Sequence, residues 1–410
     1  MPINLRNQFL VINKEFTLFL VTRLCFTIGM KTVPVLLGWY LYLLTESKLV
    51  LGFVGLSEVI PAILLALPAG VKVDSSDKRA LILRSLLFFM LVSIGLSFMT
   101  SDMLDFTKEI RTIGIFALVA VTGVIRAYIS PSFSAFLAQL VSKEELVHAA
   151  SVNSMTWLIG AIIGPSVAGL LVGFIPVSLV FIMVLVLLVF CYLMFSVIAP
   201  KPVTYDASKT KTWESVKEGL SFVWYQKALF GAMSLDMFAV LFGGAVALLP
   251  VFAKDILAVG PQAFGLLMSA TYLGNFLAIL FLTRYPLQGR QGYKLIYSVA
   301  GFGVCMIVFA LSESFVLSFI ALFISGLFDG VSVIIRGTIF QLLVPDQIRG
   351  RVSSVSSIFI NSSNELGQFE SGVAAAAMGT VPSVIFGGCM TIFISGLAWL
   401  KIPALKKLEY

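Results

Sequence analysis

The sequence predicts an all-α membrane protein of about twelve transmembrane helices in two pseudo-symmetric six-helix bundles. Three observations carry this. The 410 residues are 59% hydrophobic and 12% charged, with a mean hydropathy of +1.01, whereas a soluble domain carries roughly a quarter charged residues. Apolar runs of about 20 residues, the length that spans a bilayer, recur along the chain. The one long polar run, residues 200–227 (PKPVTYDASKTKTWESVKEGLSFVWYQK), lies at the midpoint. The expected organisation is an N-terminal bundle over 1–199, a cytoplasmic linker over 200–227 and a C-terminal bundle over 228–410.

The net charge of +7 is explained by placement. Of 28 Lys and Arg, 20 fall in the termini, alternate loops and adjoining helix ends, and only Lys48, Lys108, Arg111 and Lys254 fall in the opposite loops. This asymmetry follows the positive-inside rule and predicts both termini in the cytoplasm. Nucleic acid is excluded as a partner, because that would need basic residues clustered on one folded face. Cys25, Cys191, Cys305 and Cys389 are widely spaced within apolar runs, which suggests neither a disulfide framework nor a metal site. The lone His148 reads as polar surface. The first apolar run contains Arg23 and Lys31 and lacks a small-residue cleavage site, so it reads as a retained helix rather than a signal peptide.

In order, the predicted spans cover about residues 16–44 (with Arg23 and Lys31), 49–71 (Glu58), 80–100, 112–140 (Arg126), 147–174 and 177–199. The sixth has no charge and is expected to face lipid. In the linker, Trp213, Val216, Leu220 and Val223 recur at helical spacing, with Lys211, Glu214, Lys217 and Glu218 on other faces. That pattern fits a short amphipathic helix at the cytoplasmic interface. The second set covers about 228–252 (Asp236), 262–283, 295–312, 315–343 (Asp329, Arg336), 352–378 (Glu365, Glu370) and 381–400.

An internal repeat supports the six-plus-six division. At an offset of 203, Gly123 matches Gly326, Val141 matches Val344, Ser151 matches Ser354, Ser154 matches Ser357, Gly164 matches Gly367 and Gly169 matches Gly372. Two parallel halves with a site between them at mid-membrane is a transporter plan.

A charge in hydrocarbon costs at least about 2.5–3.5 kcal/mol. More than five residues inside the ends of its spans the chain keeps nine: Arg23, Lys31, Glu58, Arg126, Asp236, Asp329, Arg336, Glu365 and Glu370. They are expected to face a wet cavity or to pair. At the repeat offset Arg126 corresponds to Asp329, and VTRLCF around Arg23 corresponds loosely to SLDMFA around Asp236. Bases of one half are therefore expected to face acids of the other and to re-pair as the halves rock. Ser354, Ser357, Asn361, Asn364, Glu365 and Gln368 share one face of the eleventh span. A polar stripe on a membrane helix suits a water-filled path, and Glu365 is the first candidate for a proton-titrating group. Its alternative role is a hydrogen-bonded helix contact. Glu370, about 140° away around the helix at 3.6 residues per turn, is expected to meet a neighbouring helix. Small residues at Gly160, Gly164, Ala168 and Gly169, answered by Ser363, Gly367, Ser371 and Gly372, allow backbones to approach closely, and Pro165 is expected to kink its helix.

With these residues in place, the whole chain resembles the major facilitator superfamily, most of all the drug:proton antiporter branch with its enterobactin-exporter-like efflux proteins. Gly70, Asp74, Lys78 and Arg79 match that superfamily's loop between the second and third helices, roughly G-x-L-A-D-R-x-G-R-K, with Ser75 and Asp77 departing from it. The resemblance implies a cytoplasmic gate there. Gly160, Gly164, Pro165 and Gly169 are similar to the antiporter motif G-x8-G-x3-G-P-x2-G-G, with Ser151 and Ala168 replacing two of its glycines. This match implies export. Arg126 sits where the family often has an Arg linked to proton coupling, and the end of the eleventh span also looks like this branch.

The sequence thus predicts a secondary transporter of a bacterial inner membrane. It would export a small organic or amphipathic molecule, drug or siderophore-like, in exchange for protons by alternating access. The candidate substrate and coupling residues are Glu365, Asp236, Asp329, Arg126, Arg23, Glu58, Arg336, Glu370, Asn361 and Gln368. The expected partners are the cargo, protons and lipid, and a monomer is expected. No cofactor or resident metal is called for. An enzyme is disfavoured by the single His and the scattered Cys, and direct use of ATP by the lack of a Walker motif. Import, lysolipid flipping, metal transport and a non-transporting receptor or scaffold stay open, metal being disfavoured for want of soft ligands.

Overall fold

The computed structural model describes residues 13–142, 144–202, 212–345, 348–406 and 409, with side chains described throughout these except at 67, 74, 212–216, 349, 350, 354, 357, 358, 361 and 404. Among the described residues there is no strand. The order is α1 (Lys14–Thr45), α2 (Lys48–Ser75), α3 (Lys78–Met99), α4 (Lys108–Leu140), α5 (Leu146–Val172), α6 (Val177–Ser196) and α7 (Thr212–Tyr225). Then come α8 (Lys227–Gly243), α9 (Leu249–Val251), α10 (Pro261–Arg284), α11 (Gln291–Leu311), α12 (Phe315–Leu343), α13 (Arg349–Met378), α14 (Thr380–Lys401) and α15 (Pro403–Lys406). Eleven helical segments among the described residues are long and apolar enough to cross a membrane. The remaining long helix, α13, has 30 residues and at 1.5 Å per residue reaches ~45 Å, more than a hydrocarbon core needs. Its Ser, Asn, Gln and Glu make it too polar to face lipid alone, so it depends on protein around it.

Local chemistry sets the helix starts. Asn13, Ser47, Asp77 and Thr107 each accept a backbone N–H of the helix they precede, satisfying donors that the first turn leaves without carbonyl partners. The seventh predicted span is not one continuous helix. It stops at the Gly243-Gly244 pair, passes through a 3-10 turn (Ala245–Leu248) and α9, and ends in a π-helical turn (Phe252–Ile256). Pro250 lacks the N–H a continuous helix needs. The hydroxyl of Ser371 on α13 donates to the freed carbonyl of Gly244 at 3.2 Å, as irregular backbone at membrane depth requires.

Within the first half α1 packs on α5 and α6, α2 on α4, and α3 on α4 and α6. Within the second half α10 packs on α12, α11 on α12 and α14, and α8 on α13 and α14. The halves meet along two seams, α2 with α13 and α5 with α10. The repeated glycines occupy equivalent contacts. A Cβ on Gly123 would sit 2.1 Å from the Glu58 carbonyl oxygen of α2, and one on Gly326 would sit 2.0 Å from the Thr271 carbonyl oxygen of α10. Gly164 faces the Ile28 carbonyl oxygen of α1 and Gly367 that of Val240 on α8, each at 2.8 Å from an added Cβ. Gly169 meets Gly265 across the α5–α10 seam, and Gly372 meets Gly52 across the α13–α2 seam. The repeat is thus written in helix crossings where no side chain fits.

The charge-free α6 buries Phe181, Leu188 and Phe195 and exposes Ile182, Met183, Val186 and Leu193 on its outer face, as a helix against lipid should. α7 forms within the expected linker. Val223 is buried and Leu220 exposed, Gly219 lies against the Arg351 carbonyl and Glu218 pairs with Arg351. The helix therefore rides on the start of α13 rather than presenting its whole apolar stripe to lipid. Lys211 and the side chains of Trp213, Glu214 and Val216 lie outside the described residues.

Candidate functional site

Midway along α4, Arg126 donates from Nη1 to Glu58 Oε1 on α2 at 2.9 Å and to Glu365 Oε1 on α13 at 2.5 Å. The other oxygen of Glu365 accepts from Gln368 Nε2 at 2.7 Å, the i,i+3 partner on the same helix. Close packing places these groups. Gly123, one turn before Arg126, lets α4 lie on the backbone of Glu58. At Gly55 a Cβ would come within 2.9 Å of Gln368 Cβ and 3.0 Å of the Glu365 carbonyl oxygen, so α13 lies on α2 at the same level. One guanidinium thereby ties two helices of the first half to one of the second. Charge-assisted bonds of this kind are strong, and removing one member of a buried pair costs about 3–5 kcal/mol.

Lys31 on α1 approaches this cluster and lies within electrostatic reach of Glu365. Its Nζ donates to Tyr272 Oη on α10 at 3.0 Å, and stands 5.2 Å and 5.0 Å from the ring centres of Trp157 on α5 and Tyr272. These distances are within the range of cation–π attraction.

A second network lies inside the second half. Arg336 on α12 bonds Asp236 on α8, lies 3.8 Å from Asp329 two turns earlier on the same face of α12, and donates from Nε to Ser332 Oγ at 3.2 Å. Asn275 Nδ2 on α10 donates to Asp329 Oδ2 at 2.6 Å. The expected cross-half pairs Arg126–Asp329 and Arg23–Asp236 do not form. Both acids are held by Arg336 of their own half, and Arg126 reaches the other half through Glu365. Repeat-related positions occupy equivalent places in separate bundles, so each faces its own neighbour, α2 for Arg126 and α10 for Asp329. Arg23 lies over the Phe133 ring at 4.8 Å, and its buried Nε lacks a hydrogen-bond partner among the described residues. Glu370 takes part in none of these ion pairs.

On the polar stripe of α13, Asn364 Nδ2 bonds the Ile360 carbonyl, while the side chains of Ser354, Ser357 and Asn361 lie outside those described. In the loop matching the gate motif, Arg79 donates to the Ser196 carbonyl at the end of α6 at 2.5 Å, a favourable place for a cation. Lys78 is buried and bonds the Ser76 carbonyl, a Cβ on Gly70 would meet open space, and the Asp74 side chain lies outside those described. In the antiporter-like motif, Gly160 and Gly164 pack on α1, while Pro165 and Gly169 lie against Gly265 of α10.

Sequence reasoning passed over several partners. Trp157 and Tyr272 are ordinary aromatics until α5 and α10 bring them to Lys31. Gly52, Gly55 and Gly265 lack a match in the offset-203 string. At the face opposite the chain ends, Tyr42 of α1 donates to Asp255 in the π-helical turn, Lys254 pairs with Glu46 at 3.3 Å and Trp39 stacks on Phe264. The sequence shows these only as loop charges and apolar residues.

Two halves joined along α2–α13 and α5–α10, with a buried ion network tying them at mid-depth, define a transporter of the major facilitator class. The chain belongs to the transmembrane secretion effector family of that superfamily, which it matches over residues 11–409. It is 25% identical over 384 residues to the Staphyloferrin A transporter of Staphylococcus aureus, covering 91% of this chain and 93% of that protein. It is 23% identical over 302 residues to the enterobactin exporter EntS of Escherichia coli, covering 72% and 68%. The fold matches the solved structure of a POT family transporter in complex with 5-aminolevulinic acid with a TM-score of 0.76 at 13% identity, over 96% of each chain. These relatives and this fold are multi-pass membrane transporters, not enzymes.

Proposed function

We propose that the protein exports a small organic or amphipathic molecule, drug or siderophore-like, from a bacterial cytoplasm in exchange for protons. It works by alternating access, as a monomer in the inner membrane with both termini cytoplasmic. The observation that carries this reading is the Glu58–Arg126–Glu365 network. It holds a carboxylate of one half on a guanidinium of the other at mid-depth, so a proton arriving at Glu365 removes the charge that binds the halves there. The relatives support the cargo class, being named for siderophores, and the antiporter-like packing of α5 on α10 supports export. The basic residues gathered in the loops of one side support the orientation.

The test is proton flux in proteoliposomes of the purified protein, challenged in turn with lipophilic cations, siderophores and divalent metals. Cargo-dependent proton movement that Glu365→Gln abolishes supports exchange through this acid. Movement that survives the change transfers the role to Asp236 or Asp329. Transport without proton movement removes proton exchange from the mechanism.

A further inference from the structure

We propose that Lys31, Trp157 and Tyr272 form a subsite for an anionic group of the cargo, a carboxylate or other delocalised oxyanion beside a flat conjugated surface. The subsite rests on the export reading only in calling its occupant the cargo.

The first ground is donor balance. Lys31 is a cation in a membrane-spanning helix, where a charge without a counter-ion is costly. Its ammonium has three protons, and its one hydrogen bond goes to Tyr272 Oη at 3.0 Å. Because that phenol oxygen accepts, its own proton is left to donate, and no acceptor takes it among the described residues. Trp157 Nε1, which can only donate, likewise has no acceptor among the described residues. The acid in electrostatic reach of Lys31, Glu365, is already bound by Arg126 and Gln368. The cluster therefore presents one cation and three kinds of donor with no acceptor to match them, the complement of an oxyanion.

The second ground is shape. The Trp157 and Tyr272 rings meet edge to face at 82° with centres 6.2 Å apart, and the ammonium lies over both. Conjugated surface can stack on either ring while the anion takes the ammonium, the phenol and the indole N–H. The third ground is place. Lys31 and Trp157 belong to the first half and Tyr272 to the second, and Ser166 bonds Ser269 across the same seam one turn from Tyr272 at 2.9 Å. An anion bound here touches both halves at the level of the ion network, so binding and rocking are coupled by contact.

The experiment is equilibrium binding by calorimetry to the full-length protein in detergent, with no gradient imposed. Three probes share one ring and differ in charge: 1-naphthoate, 1-naphthamide and 1-naphthylmethylammonium. The expected result is saturable binding of naphthoate at least tenfold tighter than either other probe. Lys31→Gln should erase that preference, Tyr272→Phe should weaken naphthoate about three- to tenfold, and Lys31→Arg, which keeps the charge, should retain it. Thermal unfolding and gel filtration of each variant establish that it is folded. The proposal is overturned if wild-type protein shows no saturable naphthoate binding, if the cation binds as well as the anion, or if Lys31→Gln or, should that variant not fold, Tyr272→Phe binds naphthoate like wild type. Because no proton gradient or direction enters this measurement, its failure leaves the export reading to the flux assay, and failure of the flux assay leaves the subsite standing.

Discussion

Arg336 holds Asp236 directly and Asp329 at 3.8 Å, and this triad lies inside one half. Its role can be separated from that of Arg126 by exchange. Arg336→Asp and Asp236→Arg should each lower transport at least tenfold, since each leaves a buried charge without its partner. The double exchange should restore a measurable part of it in the flux assay, and absence of any recovery would show that orientation as well as charge is required. A similar exchange at Arg126 and Glu365 is expected to restore less, because the remaining acid is closer there, Glu58 at 2.9 Å from Arg126 against Asp329 at 3.8 Å from Arg336. At this scale the sequence shows which residues are chemically expensive but not their partners. Glu365 stands out from the polar stripe of α13 alone. Lys31 was visible as an intramembrane charge, but its aromatic neighbours come from two other helices, 126 and 241 positions away in the chain.

The helices show a division between packing and chemistry. Where the repeat is kept, at Gly123 and Gly326, Gly164 and Gly367, and Gly169 and Gly372, the residues make helix crossings. Where it is broken, chemistry appears: Ile162 stands at the offset from Glu365, and Thr271 stands where Glu58 lies in the other half, each against the matching glycine. Two substitutions should separate these roles. Gly123→Val overpacks a crossing inside one half, at a typical cost of about 1–3 kcal/mol or more, and should lower the thermal unfolding temperature by several degrees. Gly372→Val lies on the α2–α13 seam between the halves; if that seam opens in the proposed cycle, the change should cut transport about tenfold or more while the unfolding temperature changes little. Equal loss of stability in both variants would place the α2–α13 seam among the fixed crossings. The element pattern was legible because span length and polarity are local properties. The break between α8 and α9 was not, because Gly243, Gly244 and Pro250 permit it while Ser371 of α13 completes it.

For the molecule as a whole, the halves are latched at the face opposite the chain ends by Tyr42–Asp255, Lys254–Glu46 and Trp39–Phe264. One cluster of buried apolar side chains fills the first half from Phe16 and Phe195 and passes into the second through Leu36 and Trp39 to Phe252 and Phe309. A second, around Leu229, Ile335 and Leu405, joins the second half to Val223 of α7. The latch predicts that Tyr42→Phe combined with Asp255→Asn shifts the population toward a form opened at that face. Spin labels at Met103→Cys and Val316→Cys, in a background without the native cysteines, would report this as a longer distance distribution. An unchanged distribution would assign closure to the apolar contacts alone.

The sequence by itself determined the membrane solvent, the succession of long apolar helices and the set of costly charges. Each of these follows from composition and spacing along one chain, through the thickness of the bilayer and the expense of burying charge within it. The tertiary structure decided which charges meet. Arg126 bonds Glu58 and Glu365, Arg336 takes both acids assigned to other partners, and Lys31 lies between Trp157 and Tyr272, because pairing depends on which helix faces meet across a crossing. Those crossings are set by glycines on different helices, whose fit exists only once the halves are assembled.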